Sequence, residues 1–312
     1  MTMPVLEVEG LSISFTQYDK GVRQRSLPVI RDLDLTIRPG QVMAVVGSSG
    51  SGKSLLAHGI LGILPYNARQ SGSIRYRGEP LTPRRAEELR GREIVLIPQS
   101  VGYLDPLMQV GPQIRKGRRD PASRARSREI LGRYHLGSEV EALYPFELSG
   151  GMTRRVLIST AVVEAPSLVI ADEPTPGLDP RSLHHIMDHF REIADSGAGL
   201  LLITHDLEAA LAIADRVAVF YAGETIEEAP ASDFAAEETL RHPYTRALWR
   251  AMPQHGFQPI PGAQPYPGAA PQGCPFLPRC PRRTAECGSA VPYRPVEGGF
   301  VRCLHPERGA EA

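Results

Sequence analysis

The sequence predicts an α/β fold in which a parallel sheet, covered by helices on both faces, follows an antiparallel β layer. At 11–15 and 33–37 apolar and polar residues alternate, which is typical of strands with one exposed face. Later, short continuous apolar runs are separated by helical stretches, which is typical of buried parallel strands. These runs are 42–46, 94–97, 168–171, 200–203 and 217–221.

The helices and the domain division follow from the same patterns. Helices are predicted at 54–64, 151–165, 180–194 and 206–214. The stretch 105–147 lacks strand alternation and is interpreted as a mostly helical insertion. Pro, Gly, Gln and Ala dominate 253–273, which is typical of a linker. We therefore predict a large domain over 1–252 with a helical subdomain at about 100–150, followed by a linker and cysteine-rich extension over 253–312.

Composition excludes several classes of function. Lys plus Arg and Asp plus Glu both number 35 in 312 residues, so the formal charge of zero does not indicate a nucleic-acid partner. No apolar run approaches the roughly 20 residues that cross a bilayer, and the first residues lack the pattern of a secretion signal. We expect a soluble cytoplasmic protein whose membrane role, if any, depends on a partner.

Residues 47–54, GSSGSGKS, fit the pattern G-x-x-x-x-G-K-[ST] between an apolar strand and an apolar helix. In such a loop, glycines let backbone N–H groups surround phosphates, Lys53 reaches the β and γ oxygens, and the Ser54 hydroxyl binds Mg²⁺. The flanking elements disfavour the alternative of an ordinary Gly/Ser-rich turn. The other candidate phosphate-binding residues are Gly47, Ser48, Gly50, Ser51 and Gly52.

Polar residues end three of the predicted buried strands. Asp172 and Glu173 point to opposite sides of their strand, so we assign Asp172 to Mg²⁺ and Glu173 to activation of the attacking water. Gln99 could contact Mg²⁺ or that water, and His205 could bond the γ-phosphate and orient the water. Each has an ordinary alternative, a turn cap for the acids and a surface residue for Gln99 or His205, but their order and spacing favour a site.

Residues 148–152, LSGGM, form a turn that opens a predicted helix. Free N–H groups and a hydroxyl at a helix N-terminus favour an anion. Because the chain's own loop already binds one triphosphate, we interpret this turn as contacting ATP that is bound to a partner subunit.

These motifs, together with Leu178-Asp179 and in this order, resemble the ATP-binding subunit of an ABC transporter over about residues 5–250. The resemblance implies a P-loop NTPase fold with a RecA-like core, an N-terminal antiparallel β subdomain and a helical subdomain. It implies a dimer with two ATP molecules between the subunits, where Ser149 and Gly151 contact the γ-phosphate in trans and Asp179 lies at the seam. It also implies an aromatic residue stacked on adenine, for which Phe15 is the first candidate and Tyr18 the second; either could be a core or loop residue.

Residues 241–248, RHPYTRAL, and 273–281 are similar to the oligopeptide, dipeptide and nickel importer branch. That resemblance implies a peripheral protein at the cytoplasmic face of the membrane, with a homologous second ATP-binding subunit, two permeases and an extracytoplasmic solute-binding protein. Peptide uptake is the first expectation. Residues 62–65 and 144–147 resemble nickel and metallophore members and leave that cargo open. A soluble ABC ATPase of translation or DNA repair is disfavoured by the single cassette and short insertion.

Cys274, Cys280, Cys287 and Cys303 are separated by five, six and fifteen residues. Four thiolates suit a tetrahedral metal site, and their chemistry permits zinc. The branch resemblance implies a [4Fe–4S] cluster, which we favour over zinc; four structural cysteines without metal are the remaining alternative.

Two departures from the family pattern predict inequivalent ATP sites. Met152 stands where the turn usually ends in Gln, and Pro176 lies near the dimer seam. We expect a heterodimer that hydrolyses the ATP held by this chain, whereas the ATP contacted by LSGGM is the less active one.

Overall fold

The structure is a computed structural model that describes residues 3–19, 21–175, 180–266 and 272–307. It confirms the predicted α/β fold class. The first sheet is antiparallel, with strand order β2-β1-β4-β5. Its strands are β1 (Leu6–Asp19), β2 (Arg23–Ile37), β4 (Ala68–Tyr76) and β5 (Glu79–Pro80).

The second sheet has a parallel centre. Strands β3 (Val42–Val46), β6 (Ile94–Ile97), β7 (Leu168–Asp172), β8 (Gly199–Thr204) and β9 (Arg216–Tyr221) run in the order β9-β3-β8-β7-β6. They are joined by parallel ladders, so the carboxyl ends of β3, β7 and β8 lie at the same edge. Every residue of these three strands is buried, as expected for a sheet covered on both faces.

Helices cover this sheet and divide the core into two hydrophobic clusters. They are α1 (Lys53–Leu61), α2 (Pro83–Leu89), α3 (Val110–Ile114), α4 (Pro121–Arg133), α5 (Gly150–Val162), α6 (Pro180–Asp195), α7 (Leu207–Leu211) and α8 (Pro243–Arg250). Residues of β3 alternate between the clusters: Met43 and Val45 face the antiparallel sheet and α1, whereas Ala44 faces the side of α5 and α6.

Residues 98–167 are all described, and no strand lies between β6 and β7. This part of the chain consists of α3, α4, α5 and short 3₁₀ turns. Both α3 and α4 pack on α5. Leu131 and Tyr134 are buried in the same hydrophobic cluster as the apolar residues of α5. This packing holds in place the helix that begins with the Ser-Gly-Gly turn.

The C-terminal residues extend the main sheet. Strands β10 (Glu224–Pro230), β12 (Gly299–Val301) and β11 (Arg294–Val296) add in antiparallel order beyond β9. Arg302 donates to the carbonyl of Asp32 in β2 at 2.9 Å, which ties this hairpin to the first sheet. Across the described ranges, the structure contains no helix with the length and apolar character needed to span a membrane.

Candidate nucleotide site

The phosphate loop joins the end of β3 to the start of α1. A Cβ on Gly47 would lie 2.2 Å from the carbonyl oxygen of Phe220, so only glycine fits there. Gly50 and Gly52 have φ values of 78° and 97°, in the left-handed region that favours glycine. Gly52 precedes α1 without a side-chain cap, which leaves N-terminal N–H groups available to an anion.

Lys53 is buried inside this loop. Its Nζ donates to the carbonyls of Gly47 at 2.8 Å and Ser48 at 3.1 Å, and lies 4.0 Å from Glu173 Oε1. Burial lowers the pKa of Lys53, while the carboxylates of Glu173 and Asp172 act in the opposite direction. A polyphosphate would offer this ammonium the negative charge that favours its protonated form.

Ser51 supplies an independent indication that the loop fits phosphate. It is 1% exposed, and its Oγ has no hydrogen-bond partner among the described residues. A buried hydroxyl without a partner costs free energy. A phosphate oxygen in the loop would satisfy it.

The proposed Mg²⁺ ligands lie together. Ser54 Oγ donates to Asp172 Oδ1 at 3.0 Å, joining the start of α1 to the end of β7. Burial raises the pKa of Asp172, and the hydrogen bond from Ser54 opposes that shift. A hydroxyl and a carboxylate are oxygen ligands of the kind Mg²⁺ prefers, so this pair fits the ion.

Glu173 and His205 come together at the carboxyl ends of β7 and β8. Glu173 Oε2 lies 2.7 Å from His205 Nδ1. Glu173 has a φ of 45°, unusual for a residue with a side chain, and its N–H donates to the carbonyl of Ile203 at 2.8 Å. The carboxylate is buried whereas the imidazole is 55% exposed, so the pair reaches from the core to the surface.

Gln99 lies two residues beyond β6 with an exposed side chain. Arg154 of α5 donates to the carbonyls of Pro98 at 2.9 Å and Gln99 at 2.7 Å. Arg154 belongs to none of the sequence motifs described above. The sequence pattern that could have indicated its burial is that Arg154 lies on the same helix face as the buried residues Leu157, Ile158 and Ala161.

The Ser-Gly-Gly turn is exposed at the start of α5. Ser149 is the N-cap, and its Oγ accepts from the N–H of Met152 at 3.3 Å. Apart from the adjoining residues and the helix backbone, no atom of the described residues lies within 4 Å of a Cβ placed on Gly150 or Gly151, so open space adjoins both glycines. The turn can therefore be approached by another molecule, with its hydroxyl already engaged within the helix.

The two adenine candidates differ in exposure. Phe15 is half-buried and packs against the core cluster between the sheets. Tyr18 is 70% exposed, and its hydroxyl accepts from Gln24 Nε2 at 3.3 Å. Pro176 and Asp179 lie outside the described residues.

A segment from the predicted linker contacts the phosphate loop, which the sequence did not indicate. Ser48 Oγ donates to Gln264 Oε1 at 2.5 Å. Arg279 fixes the residues that precede Gln264, because its side chain donates to the carbonyls of Ile260 at 3.0 Å and Pro261 at 2.7 Å. Arg279 also donates to the Tyr221 hydroxyl at 3.1 Å, so the segment is fixed to the end of β9.

The four cysteines are buried and line one cavity of about 10 Å³. Burial raises the pKa of the Cys274 thiol to about 12 and that of Cys303 to about 11. Within the described ranges, no group of three or more His, Cys, Asp or Glu side chains is arranged to hold a metal ion. The fold thus gathers the four thiols around one cavity.

Comparisons with known proteins agree with this geometry. Residues 30–176 match the family model described as ABC transporter, and residues 226–287 match the one described as oligopeptide/dipeptide transporter, C-terminal region. A putative peptide import ATP-binding protein of Brucella abortus is 36% identical over 97% of this chain and 95% of its own length. The oligopeptide transport ATP-binding protein OppD of Salmonella typhimurium is 35% identical, over 97% and 94% respectively.

Solved structures show the same fold. The ATP-binding subunit of an ABC transporter aligns with a TM-score of 0.59 at 25% identity, covering 74% of this chain and 91% of that structure. The cassette MJ0796, solved as a dimer, aligns with a TM-score of 0.63 at 22% identity, covering 72% and 98%.

Proposed function

Because the chain belongs to the ATP-binding subunits of ABC transporters, we propose that it hydrolyses ATP to drive import of dipeptides and oligopeptides. The observation that carries the ATPase function is the arrangement of Lys53, Glu173 and His205 beside the phosphate loop. The C-terminal family match and the relatives named for peptide import support the cargo and favour it over nickel or a metallophore.

The geometry supports a mechanism in which water attacks the γ-phosphorus and ADP leaves. The loop N–H groups and Lys53 bind the phosphates. Ser54 and Asp172 would hold Mg²⁺, which supplies positive charge to the β and γ oxygens. Glu173 accepts the proton of the attacking water, and the 2.7 Å contact with His205 fixes its orientation. Gln99 follows β6, the parallel neighbour of β7, and its amide is proposed to contact Mg²⁺ or the attacking water.

The second half of each ATP site is proposed to come from another subunit. The exposed Ser149, Gly150 and Gly151 offer N–H groups to a γ-phosphate held by the partner. The nucleotide bound by this chain's own phosphate loop already has Lys53 and the proposed base Glu173 beside it. The turn is therefore proposed to contact the partner's nucleotide. Met152 replaces an amide at this turn, which supports pairing with a distinct, homologous subunit whose ATP is hydrolysed less actively.

We further propose that the helical part of the chain meets two permease subunits at the cytoplasmic face of the membrane. Tyr103, Leu107 and Phe146 are 68%, 86% and 73% exposed. The hydrogen bond from Val110 N to Leu143 O brings the segments bearing Leu107 and Phe146 together. Large apolar side chains exposed in one region favour a protein interface. The importer would receive its solute from an extracytoplasmic binding protein.

The cysteine cavity is proposed to hold a [4Fe–4S] cluster rather than zinc. Cys274, Cys280, Cys287 and Cys303 all line one cavity, and four thiolates serve zinc and iron–sulfur clusters alike; the resemblance to the importer branch is what favours the cluster. Anaerobic purification with iron, sulfide and zinc analysis tests this; colourless protein without iron would contradict it.

This function assigns 1–252 to ATP binding, with about 100–150 as the helical subdomain, and 253–312 to an importer-specific extension. The deciding experiment co-expresses the chain with permease subunits and a second ATPase subunit of a peptide importer from the same organism and recovers the complex from membranes. In proteoliposomes, peptide-loaded binding protein should stimulate hydrolysis and peptide uptake. Recovery of this chain without permeases would favour a soluble ATPase, and stimulation by a nickel chelate instead of peptide would overturn the cargo.

A further inference from the structure

Arg154 is a buried cation that contacts the segment bearing Gln99. It lies in α5, five residues after Ser149, and is 5% exposed. Its two terminal nitrogens each donate to one of two successive carbonyls, those of Pro98 and Gln99. Burial lowers the pKa of Arg154, and no described carboxylate contributes an opposing effect.

Burying a guanidinium whose hydrogen-bond partners are carbonyl oxygens costs desolvation free energy. A carboxylate partner would offset more of this free energy than two neutral carbonyl oxygens do, because it bears a negative charge. The planar guanidinium has one compensating property: its fixed donor directions orient both acceptors at once. Here the two acceptors belong to the peptide groups on either side of the Gln99 Cα, so the guanidinium fixes the backbone from which the exposed Gln99 side chain extends.

The neighbouring arginine attaches the same helix elsewhere. Arg155 donates to the carbonyl of Tyr134 at 3.0 Å, at the end of α4, and to that of Gly151 at 3.3 Å. Helix α5 is therefore bonded to the helical part of the chain through Arg155 and to the Gln99 segment through Arg154. Its first residues form the exposed Ser-Gly-Gly turn.

We propose that Arg154 is a positioning residue that makes the Ser149–Gly151 turn and Gln99 move as one unit. When the turn contacts nucleotide held by a partner subunit, the shift of α5 is passed to the glutamine beside this chain's own γ-phosphate. Arg154 acts through the two carbonyls and not by contact with nucleotide. This inference rests on the proposed ATPase function and adds a link between the two ATP sites.

The test is a double-mutant cycle in the assembled transporter. Arg154→Met keeps the length of the side chain and removes its donors, and should lower kcat about tenfold while the Kd for ATP changes less than about twofold, because only positioning is lost. In a Gln99→Ala background the same change should lower kcat by less than about twofold further, because the group being positioned is gone. Arg154→Lys, which keeps one donor group, should recover part of the rate.

Two comparison variants separate positioning from general loosening of α5. Arg155→Met removes the other attachment and should combine multiplicatively with Gln99→Ala. Arg124→Met, on the exposed face of α4, should behave as wild type. Wild-type kcat in Arg154→Met, or multiplicative effects with Gln99→Ala, would overturn the proposal. If Arg154→Met does not fold, Arg154→Lys and Arg154→Gln carry the same cycle. Absence of hydrolysis in the wild-type complex would instead refute the ATPase function.

Discussion

The carboxylate of Glu173 and the imidazole of His205 are joined by a 2.7 Å contact between Oε2 and Nδ1, although their positions in the sequence differ by 32. The contact exists because β7 and β8 are parallel neighbours that end at the same edge of the sheet. Glu173 Oε1 lies 4.0 Å from Lys53 Nζ on its other side. One carboxylate thus lies between the buried ammonium of Lys53 and the exposed imidazole of His205.

Glu173→Gln should nearly abolish hydrolysis without loss of ATP binding. The amide keeps the size of the side chain but cannot accept a proton, and loss of a general base costs about 10²- to 10⁴-fold in rate. Phosphate release under single-turnover conditions, together with a nucleotide titration, measures both properties. Glu87→Gln, at an exposed position of α2, is the matched control. Substantial residual hydrolysis would show that another group acts as base.

Ser149→Ala should lower the free energy of unfolding. It should also weaken the ATP-dependent association of this chain with its partner subunit. The hydroxyl caps α5 by accepting from the N–H of Met152, and loss of such a cap costs about 1 kcal/mol of unfolding free energy. Ser149→Thr keeps an oxygen at this position and should retain most of the stability. Urea denaturation compares the three proteins, and gel filtration with ATP reports association. Equal unfolding free energies for the alanine and wild-type proteins would rule out the capping role.

The parts of this fold that the sequence predicted are those specified by short-range patterns. The phosphate loop and the apolar strand before it are contiguous, and a parallel sheet then brings Asp172, Glu173 and His205 to one edge. Packing across long separations was not predictable in this way. Ser48 and Gln264 are 216 residues apart, and nothing in a linker rich in Pro and Gly indicated that an amide there would reach the loop.

Buried polar contacts explain the remaining differences. The sequence identified Gln99 by its side chain, whereas the structure shows its backbone carbonyl held by Arg154. Every residue has a backbone carbonyl, so the residue types in a sequence do not indicate which carbonyl accepts a hydrogen bond. The bond from Arg154 could therefore not be predicted from the spacing of residues. Likewise, the cysteines are separated by five, six and fifteen residues in the sequence, but the fold places all four around one cavity.

Gln264→Ala should raise the Kd for ATP while leaving kcat nearly unchanged. The bond from Ser48 Oγ to Gln264 Oε1 fixes the second residue of the phosphate loop before nucleotide arrives. Without it the loop must be ordered on binding, and loss of one hydrogen bond of about 1 kcal/mol corresponds to about a fivefold weaker affinity. Equilibrium titration with a fluorescent ATP analogue measures the change. Gln258→Ala, an exposed position of the same segment, is the control, and identical affinities for all three proteins would contradict the prediction.

His242 should make the stability of the chain fall in mild acid. It is fully buried, its Nδ1 accepts from the N–H of Tyr244 at 3.0 Å, and burial lowers its pKa to about 3. In the unfolded chain a histidine has a pKa of about 6.5, so the unfolded state takes up the proton first as the pH falls. The stabilising contribution is complete above pH 6.5 and is lost progressively toward pH 3, by about 1.4 kcal/mol per pH unit.

The matched variant is His242→Asn, whose side-chain oxygen can still cap α8 but does not titrate. Glu227, whose pKa burial raises, titrates in the opposite sense but is present in both proteins, so its effect cancels in the difference. Urea denaturation at several pH values between 7 and 4.5 should give the wild-type protein a steeper loss of unfolding free energy than the variant. Parallel curves would mean that the imidazole is protonated in the folded protein, and the buried neutral state of His242 would then be wrong.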